Sequence, residues 1–324
     1  MDDKSVLIQS VLNAKILAII GLEKNTGKTE TLNFIVKCLT GKKNIALTSI
    51  GTDGEEKDIV FGSPKPSVYV DEGQIYTTTE FFFKRRTVLS EILYVSTQTT
   101  PTGRLIIARA CEPGKVILSG PPTTAWMKEV ATYLSNIADL VIIDGALSRF
   151  SQAKPSIADS VILATGAAYS LEKREIIRHT KYVYNLCTLD VFEKQIPSEI
   201  VNSNHICTFD GREWKKTNVS SALNLQKLKE IEGGFSCIYI PGALTDSVLR
   251  TVYDKQIIVR DFTKIFISYE YFVKYRPNIK VLEKTNVIGI TVNPYSPTGY
   301  LIDSESIINE LRKVINIPII DVRR

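Results

Sequence analysis

The sequence predicts an α/β protein: a mainly parallel, twisted sheet with helices on both faces, carrying an added α/β segment. Short apolar runs of strand length recur along the chain, among them AKILAII (14–20), NIALTSI (44–50), ADLVIIDGA (138–146) and DSVILATGA (159–167). Runs with helical spacing separate them, and strand–helix–strand order is what parallel pairing requires. The chain has 324 residues, 44% hydrophobic and 23% charged, which is enough for a sizeable core and typical of a soluble globular protein.

Taken in order, residues 3–13 form a weakly amphipathic helix, and 14–20 read as a buried parallel strand. From Lys28 to Cys38 the residues Leu32, Ile35, Val36 and Leu39 fall at helical spacing. The run 44–50 is a second strand, followed by the polar loop GTDGEEKD. PSVYVDEGQIYTTT (66–79) alternates around Glu72-Gly73 and reads as a hairpin. GRLIIARA and KVILSG are two further strands, 123–137 a helix, 138–146 and 159–167 strands, and Leu171–Leu186 a helix.

Between about 190 and 235 the pattern loosens around HICTFDGREWKKT, a hairpin with an Asp210-Gly211 turn. Alternation resumes with FSCIYI, ALTDSVLRTVY, KQIIV and KIFIS. NVIGITVN, ESIINELRKVI and IPIID close the chain as strand–helix–strand. The expected organisation is a core over 1–190, an added α/β segment over 191–280, and a C-terminal strand–helix–strand over 281–324 that completes the core.

A net charge of +5 is too mild to argue for nucleic acid, and Lys84-Arg85-Arg86 reads as a solvated face. Five scattered cysteines without metal-ligand spacing fit reduced thiols in a cytoplasm. His179 and His205 read as ordinary polar residues. No apolar run approaches the roughly 20 residues that span a bilayer, and Asp2-Asp3 argue against a signal peptide. The expectation is a cytoplasmic protein without nucleic-acid or membrane partners.

The stretch LAIIGLEKNTGKTETLNF (17–34) carries the chemistry. A strand ends at Ile20 and a helix begins near Lys28, so unpaired helix N–H groups and a partial positive charge face the loop. Gly27 allows close backbone approach, Lys28 can reach the β- and γ-phosphates, and the Thr29 hydroxyl can bind magnesium. Asn25, Thr26 and Glu30 complete the loop and the first helical turn. Asp144, closing the apolar run LVIID, is the candidate second magnesium ligand. Asp53 in SIGTDGEE is a candidate for binding magnesium or orienting the attacking water, with Glu55, Glu56 and Asp58 as competitors. That segment could sense the γ-phosphate as a switch, and Arg149 could contact phosphate or a partner. In VNPYSP, Asn293 suits an adenine edge, while Pro294 and Ser296 stand where a guanine site carries lysine and aspartate, which favours ATP over GTP.

Gly21 lies one position earlier than the usual spacing allows. Gly-x5-Gly-Lys-Thr resembles the loop of dethiobiotin synthetase, and Lys24–Thr29 is similar to the Lys-Asn-Ser-Gly-Lys-Thr loop of the MobB accessory proteins of molybdopterin cofactor synthesis. Both belong to the signal-recognition/MinD/BioD class of P-loop NTPases. The signature lysine of MinD-type loops would fall at Glu23 and is absent. IIGLEKNTGKTETLN, ALTSIGTDGEEKD, PKPSVYV, LVIIDGALSR and SVILATGAAYS together resemble the KamB-type reactivase subunits of lysine 5,6-aminomutase, over most of residues 15–190. That resemblance implies an ATP- and Mg2+-dependent switch or chaperone that reactivates an adenosylcobalamin-dependent aminomutase, with a second reactivase subunit. The alternatives are a dethiobiotin synthetase-like metabolic enzyme, which lacks a matching substrate lysine here because Asn33 and Lys37 follow the loop, and a MobB-like accessory protein.

Overall fold

The computed structural model describes residues 2–50, 68–145, 154–231 and 234–323. The chain divides into two compact units, one of residues 1–181 with 287–324 and one of residues 182–286. Asp53, Glu55, Glu56, Asp58 and Arg149 lie outside the described residues.

The chain opens with α1 (Asp3–Asn13), β1 (Ile16–Gly21), α2 (Lys28–Leu39) and β2 (Ile45–Ser49). It continues through β3 (Val68–Val70), β4 (Ile75–Thr79), α3 (Glu80–Lys84), β5 (Ser90–Thr100), β6 (Gly103–Ala110) and β7 (Gly114–Val116). Then come α4 (Thr124–Ile137), β8 (Leu140–Gly145), β9 (Ser160–Gly166) and α5 (Lys173–Cys187), the helix in which the unit boundary falls.

The second unit holds α6 (Ser198–Val201), β10 (Cys207–Phe209), β11 (Trp214–Lys216), α7 (Leu225–Lys229), β12 (Cys237–Ile240), β13 (Leu244–Thr245), α8 (Asp246–Val252), β14 (Gln256–Val259), β15 (Ile265–Phe266), α9 (Tyr269–Tyr275) and β16 (Ile279–Val281). Its sheet runs β11-β10-β12-β14-β16, with the last three strands parallel. The Asp210-Gly211 turn joins antiparallel β10 and β11. Asp210 Oδ1 accepts the amides of Arg212 and Glu213 there, and these bonds hold its carboxyl far below the usual range.

The first unit is completed by β17 (Val287–Asn293), α10 (Ser304–Arg312) and β18 (Ile319–Asp321). Its nine-stranded sheet has the order β18-β17-β9-β1-β8-β2-β4-β6-β5. All pairings from β18 to β4 are parallel, and β6 is antiparallel to both neighbours. The unit is therefore α/β with a mixed, mostly parallel sheet.

Burial on both faces explains the strand composition. Leu17, Ile19, Ile45, Leu47, Leu140 and Ile142 pack with Leu7 and Val11 of α1 and Leu32, Ile35, Val36 and Leu39 of α2. The intervening Ala46, Val141 and Ile143 pack on the other face with Trp126, Met127, Val130 and Leu134 of α4. With apolar residues wanted on both sides, the strands read as continuous apolar runs. Caps set the helix starts: Asp2 accepts the Ser5 amide ahead of α1 and Thr123 the Trp126 amide ahead of α4.

One expectation is corrected. The hairpin expected over 66–79 is not found among the described residues, because β3 pairs antiparallel with β7 while β4 lies between β2 and β6. The turn is real: Gly73 has φ 84°, and the Gln74 amide donates to the Asp71 carbonyl at 3.2 Å. Every residue of β4 is buried, however, and a strand of that kind needs partners on both edges. Strand β5 and helix α3 were not anticipated.

Ile19 lies at the centre of the sheet and is fully buried. Ile19→Ala should lower the stability of the first unit by about 2–5 kcal/mol in denaturant unfolding. Tyr94→Ala, on the exposed edge strand β5, should cost far less.

Candidate functional site

The parallel strands deliver their carboxyl ends to one rim: Gly21 from β1, Ser49 from β2, Asp144 from β8, Gly166 from β9 and Asn293 from β17. The chain leaves β1 for β2 on one side, and β9 and β17 lie on the other. Ligands of open α/β sheets bind where the order reverses in this way.

The β1–α2 loop sits at that point and is tightly folded. The Leu22 amide donates to the Ala164 carbonyl at 2.8 Å, and buried Thr26 donates its hydroxyl to the Glu23 carbonyl at 2.8 Å. Asn25 and Gly27 have positive φ values of 62° and 93°. A β-carbon at Gly21 would lie 2.7 Å from Thr26 Oγ1 and 2.9 Å from Lys28 Nζ. The space a side chain would take is thus occupied by the Lys28 ammonium, folded back over the start of the loop. Gly27 and Lys28 begin α2, whose first-turn amides open onto the same loop.

Asn293 abuts the other end of the loop. A β-carbon at Gly27 would come within 2.7 Å of Asn293 Cβ and 3.2 Å of its Nδ2. The Asn293 carbonyl accepts the Ala167 amide at 3.0 Å, and its Oδ1 accepts the Tyr295 amide at 3.3 Å. Its side chain is nine-tenths buried as a buttress of the loop, and Nδ2 is the amide donor not engaged by these bonds. Thr31 adds a second tie: its hydroxyl donates to the Gly27 carbonyl and pairs with the Thr291 hydroxyl at 2.8 Å.

Asp144 stands level with Ile19 of β1 and Ser49 of β2. Thr29 occupies the first turn of α2. Among the described residues no group of three or more His, Cys, Asp or Glu could hold a metal. One carboxylate and one hydroxyl suit magnesium, which keeps waters and takes its other ligands from phosphates. Glu30 points elsewhere, pairing with Arg323 at 3.0 Å, whose guanidinium also lies 5.4 Å from the Tyr295 ring centroid. The sequence reading missed Arg323.

It also missed two residues that close the rim. His179 of α5 stacks on Tyr169, with ring centroids 4.2 Å apart, and hydrogen-bonds the Leu22 backbone. Burial lowers its pKa, against the opposing pull of that bond and of Glu23; Arg178 lowers it further and Glu175 raises it. A β-carbon at Gly120 would fall 1.6 Å from the Ser49 carbonyl oxygen, so the segment after β7 closes over the end of β2. Next to it, the buried Ser119 hydroxyl has no hydrogen-bond partner among the described residues. The signal for this segment was Gly120-Pro121-Pro122 after a strand; His179 left none, since only the fold brings it to the loop.

No family model, curated protein or solved structure matches this chain. No described helix is long and apolar enough to cross a membrane.

His179 gives this site a pH signature. The folded state resists protonation relative to an ordinary histidine at 6.5, so its contribution is complete above that value and lost as pH falls through the lowered folded value. Thermal stability should fall as pH drops below about 6.5, and His179→Gln should flatten that part of the profile. An unchanged profile would remove His179 from the account.

Proposed function

We infer that the protein binds and hydrolyses Mg-ATP at the β1–α2 loop, as a P-loop NTPase whose nucleotide cycle drives a switch or chaperone activity. The observation that carries this reading is the Lys28 ammonium lying 2.9 Å from where a Gly21 β-carbon would be, at the head of a helix N-terminus. A cation held there offers charge to phosphate oxygens, and the amides beside it offer oriented donors.

Thr29 and Asp144 fit a magnesium ion bound jointly with phosphates, and that ion would supply charge neutralisation at the γ-phosphoryl group. Lys28 holds the phosphates, and Asp144 orients the metal shell. Asn293 fixes Gly27 and hence the loop's curvature. The absence of a carboxylate in Asn293-Pro294-Tyr295-Ser296 favours adenine over guanine. Assignment of the cycle to reactivation of an adenosylcobalamin-dependent aminomutase, with a second subunit, rests on the resemblance of residues 15–190 to reactivase subunits.

Lys28→Ala should abolish Mg-ATP binding in calorimetry while leaving the thermal melt intact; unchanged affinity would sink the nucleotide reading. Asp144→Asn should reduce turnover at least about tenfold, or roughly 1.4 kcal/mol of barrier, with little effect on ADP affinity. ATP should outcompete GTP. For the partner, the protein with Mg-ATP should restore activity to an aminomutase inactivated by turnover; steady ATP turnover that appears only with a small carboxylic or amine substrate would instead favour the metabolic-enzyme alternative.

A further inference from the structure

A separate recess of about 220 Å3 opens where α3, β4 and β7 meet. Tyr76, Thr78 and Phe83 form its apolar and hydroxylic wall; Arg85, Arg86 and Lys115 supply its charge, and among the described residues its lining contains no carboxylate. Lys84 and Arg85 are exposed, as a solvated face predicts, and Arg86 is half-buried.

The cations are held in place. The Arg85 guanidinium lies 3.6 Å from the Phe81 ring centroid, and that of Arg86 lies 3.6 Å from Phe83. Each also donates Nη1 to a carbonyl of α3, Arg85 to Phe81 at 3.3 Å and Arg86 to Phe83 at 2.8 Å. Stacking of this kind fixes the plane of a guanidinium and leaves its remaining N–H edge for an acceptor. Arg86 Nε is buried and has no acceptor among the described residues. No described carboxylate forms an ion pair with Arg85, Arg86 or Lys115, whereas the nearby Arg104 and Arg109 pair with Glu80 and Glu91. Three cations, Arg86 half-buried and Arg85 and Lys115 exposed, thus line the recess with no counter-charge among the described residues, although acids are paired a strand away.

We propose that this recess binds the phosphate group of a small phosphorylated molecule. Three cations call for a dianion, and two planar guanidinium forks match phosphate oxygens. Size selects among phosphates. Drug-sized ligands occupy clefts of about 300–1,000 Å3, so the recess takes a phosphate monoester of few atoms in place of a nucleotide or a peptide. The site is distinct from the β1–α2 loop and does not depend on the nucleotide reading.

The test is equilibrium dialysis of the full chain with labelled inorganic phosphate and, in a second arm, labelled glycerol phosphate. Both should bind the parent. In Lys28→Ala, which removes the loop's cation, both probes should still bind, and adding Arg86→Gln with Lys115→Gln to that variant should weaken binding at least about tenfold. Tighter binding of the glycerol ester identifies an organic monoester as the ligand, and equal binding identifies free phosphate; either supports the site. Binding as tight in the triple variant as in Lys28→Ala, loss of all phosphate binding in Lys28→Ala, or no binding of either probe to the parent would overturn it. Lys115 is exposed, so Lys115→Gln added alone to Lys28→Ala carries the test if the triple variant does not fold.

Discussion

Close approach at two glycines governs the candidate site. Gly21 leaves room for the Lys28 ammonium, and Gly27 leaves room for the Asn293 side chain. Any β-carbon at either position must push aside a charged or buried neighbour. The first contact holds a cation at the mouth of a helix; the second pins the loop to β17, a strand more than 250 residues further along the chain. Gly166 repeats the pattern, for a β-carbon there would sit 2.0 Å from the Asn293 carbonyl oxygen. The ends of β1, β9 and β17 are thereby locked into one surface, and the rest of the rim is built on it.

Small hydroxyls do the locking between elements. Thr31 joins α2 to Thr291 of β17, and Thr48 joins β2 to Thr77 of β4, which reaches the Ser119 carbonyl. All these side chains are buried, and each hydroxyl has a partner in these bonds, so they specify neighbours without leaving polar groups unpaired. Threonine suits this place: its methyl packs with the apolar strands while its oxygen finds a partner. The Thr-rich composition of β4 has this as its physical cause.

Much of this was legible in the sequence, and the boundary of legibility is physical. The central strands and α2 announced themselves because burial on two faces, or on one helical stripe, writes a period into the chain. Gly27 and Lys28 were legible because they open the helix α2, and Asp144 because it lies at the end of the apolar strand β8. β5 was not: it is an edge strand, rich in Ser and Thr, with most of its residues partly or fully exposed, so little burial constrains its pattern. The 66–79 hairpin was misread because alternation reports that a strand is extended, and is silent on its partner. The pairing of Glu30 with Arg323 and the His179 contact with Leu22 depend on distant segments meeting, and no local pattern encodes that.

The division of the first unit has a consequence for biosynthesis. β17 and β18 belong to the nine-stranded sheet, yet residues 182–286 must be translated before either exists. At bacterial-to-eukaryotic elongation speeds that interval lasts about 5–20 s. Throughout it, the nascent chain holds β9 with one edge uncovered and Gly27 without the Asn293 side chain that seats against it. An exposed parallel edge of buried apolar residues invites pairing with other chains. The second unit, with its own sheet, can fold during this interval. The nascent polypeptide therefore has a defined window in which the loop cannot yet be buttressed, and that window closes only when the last strands leave the ribosome.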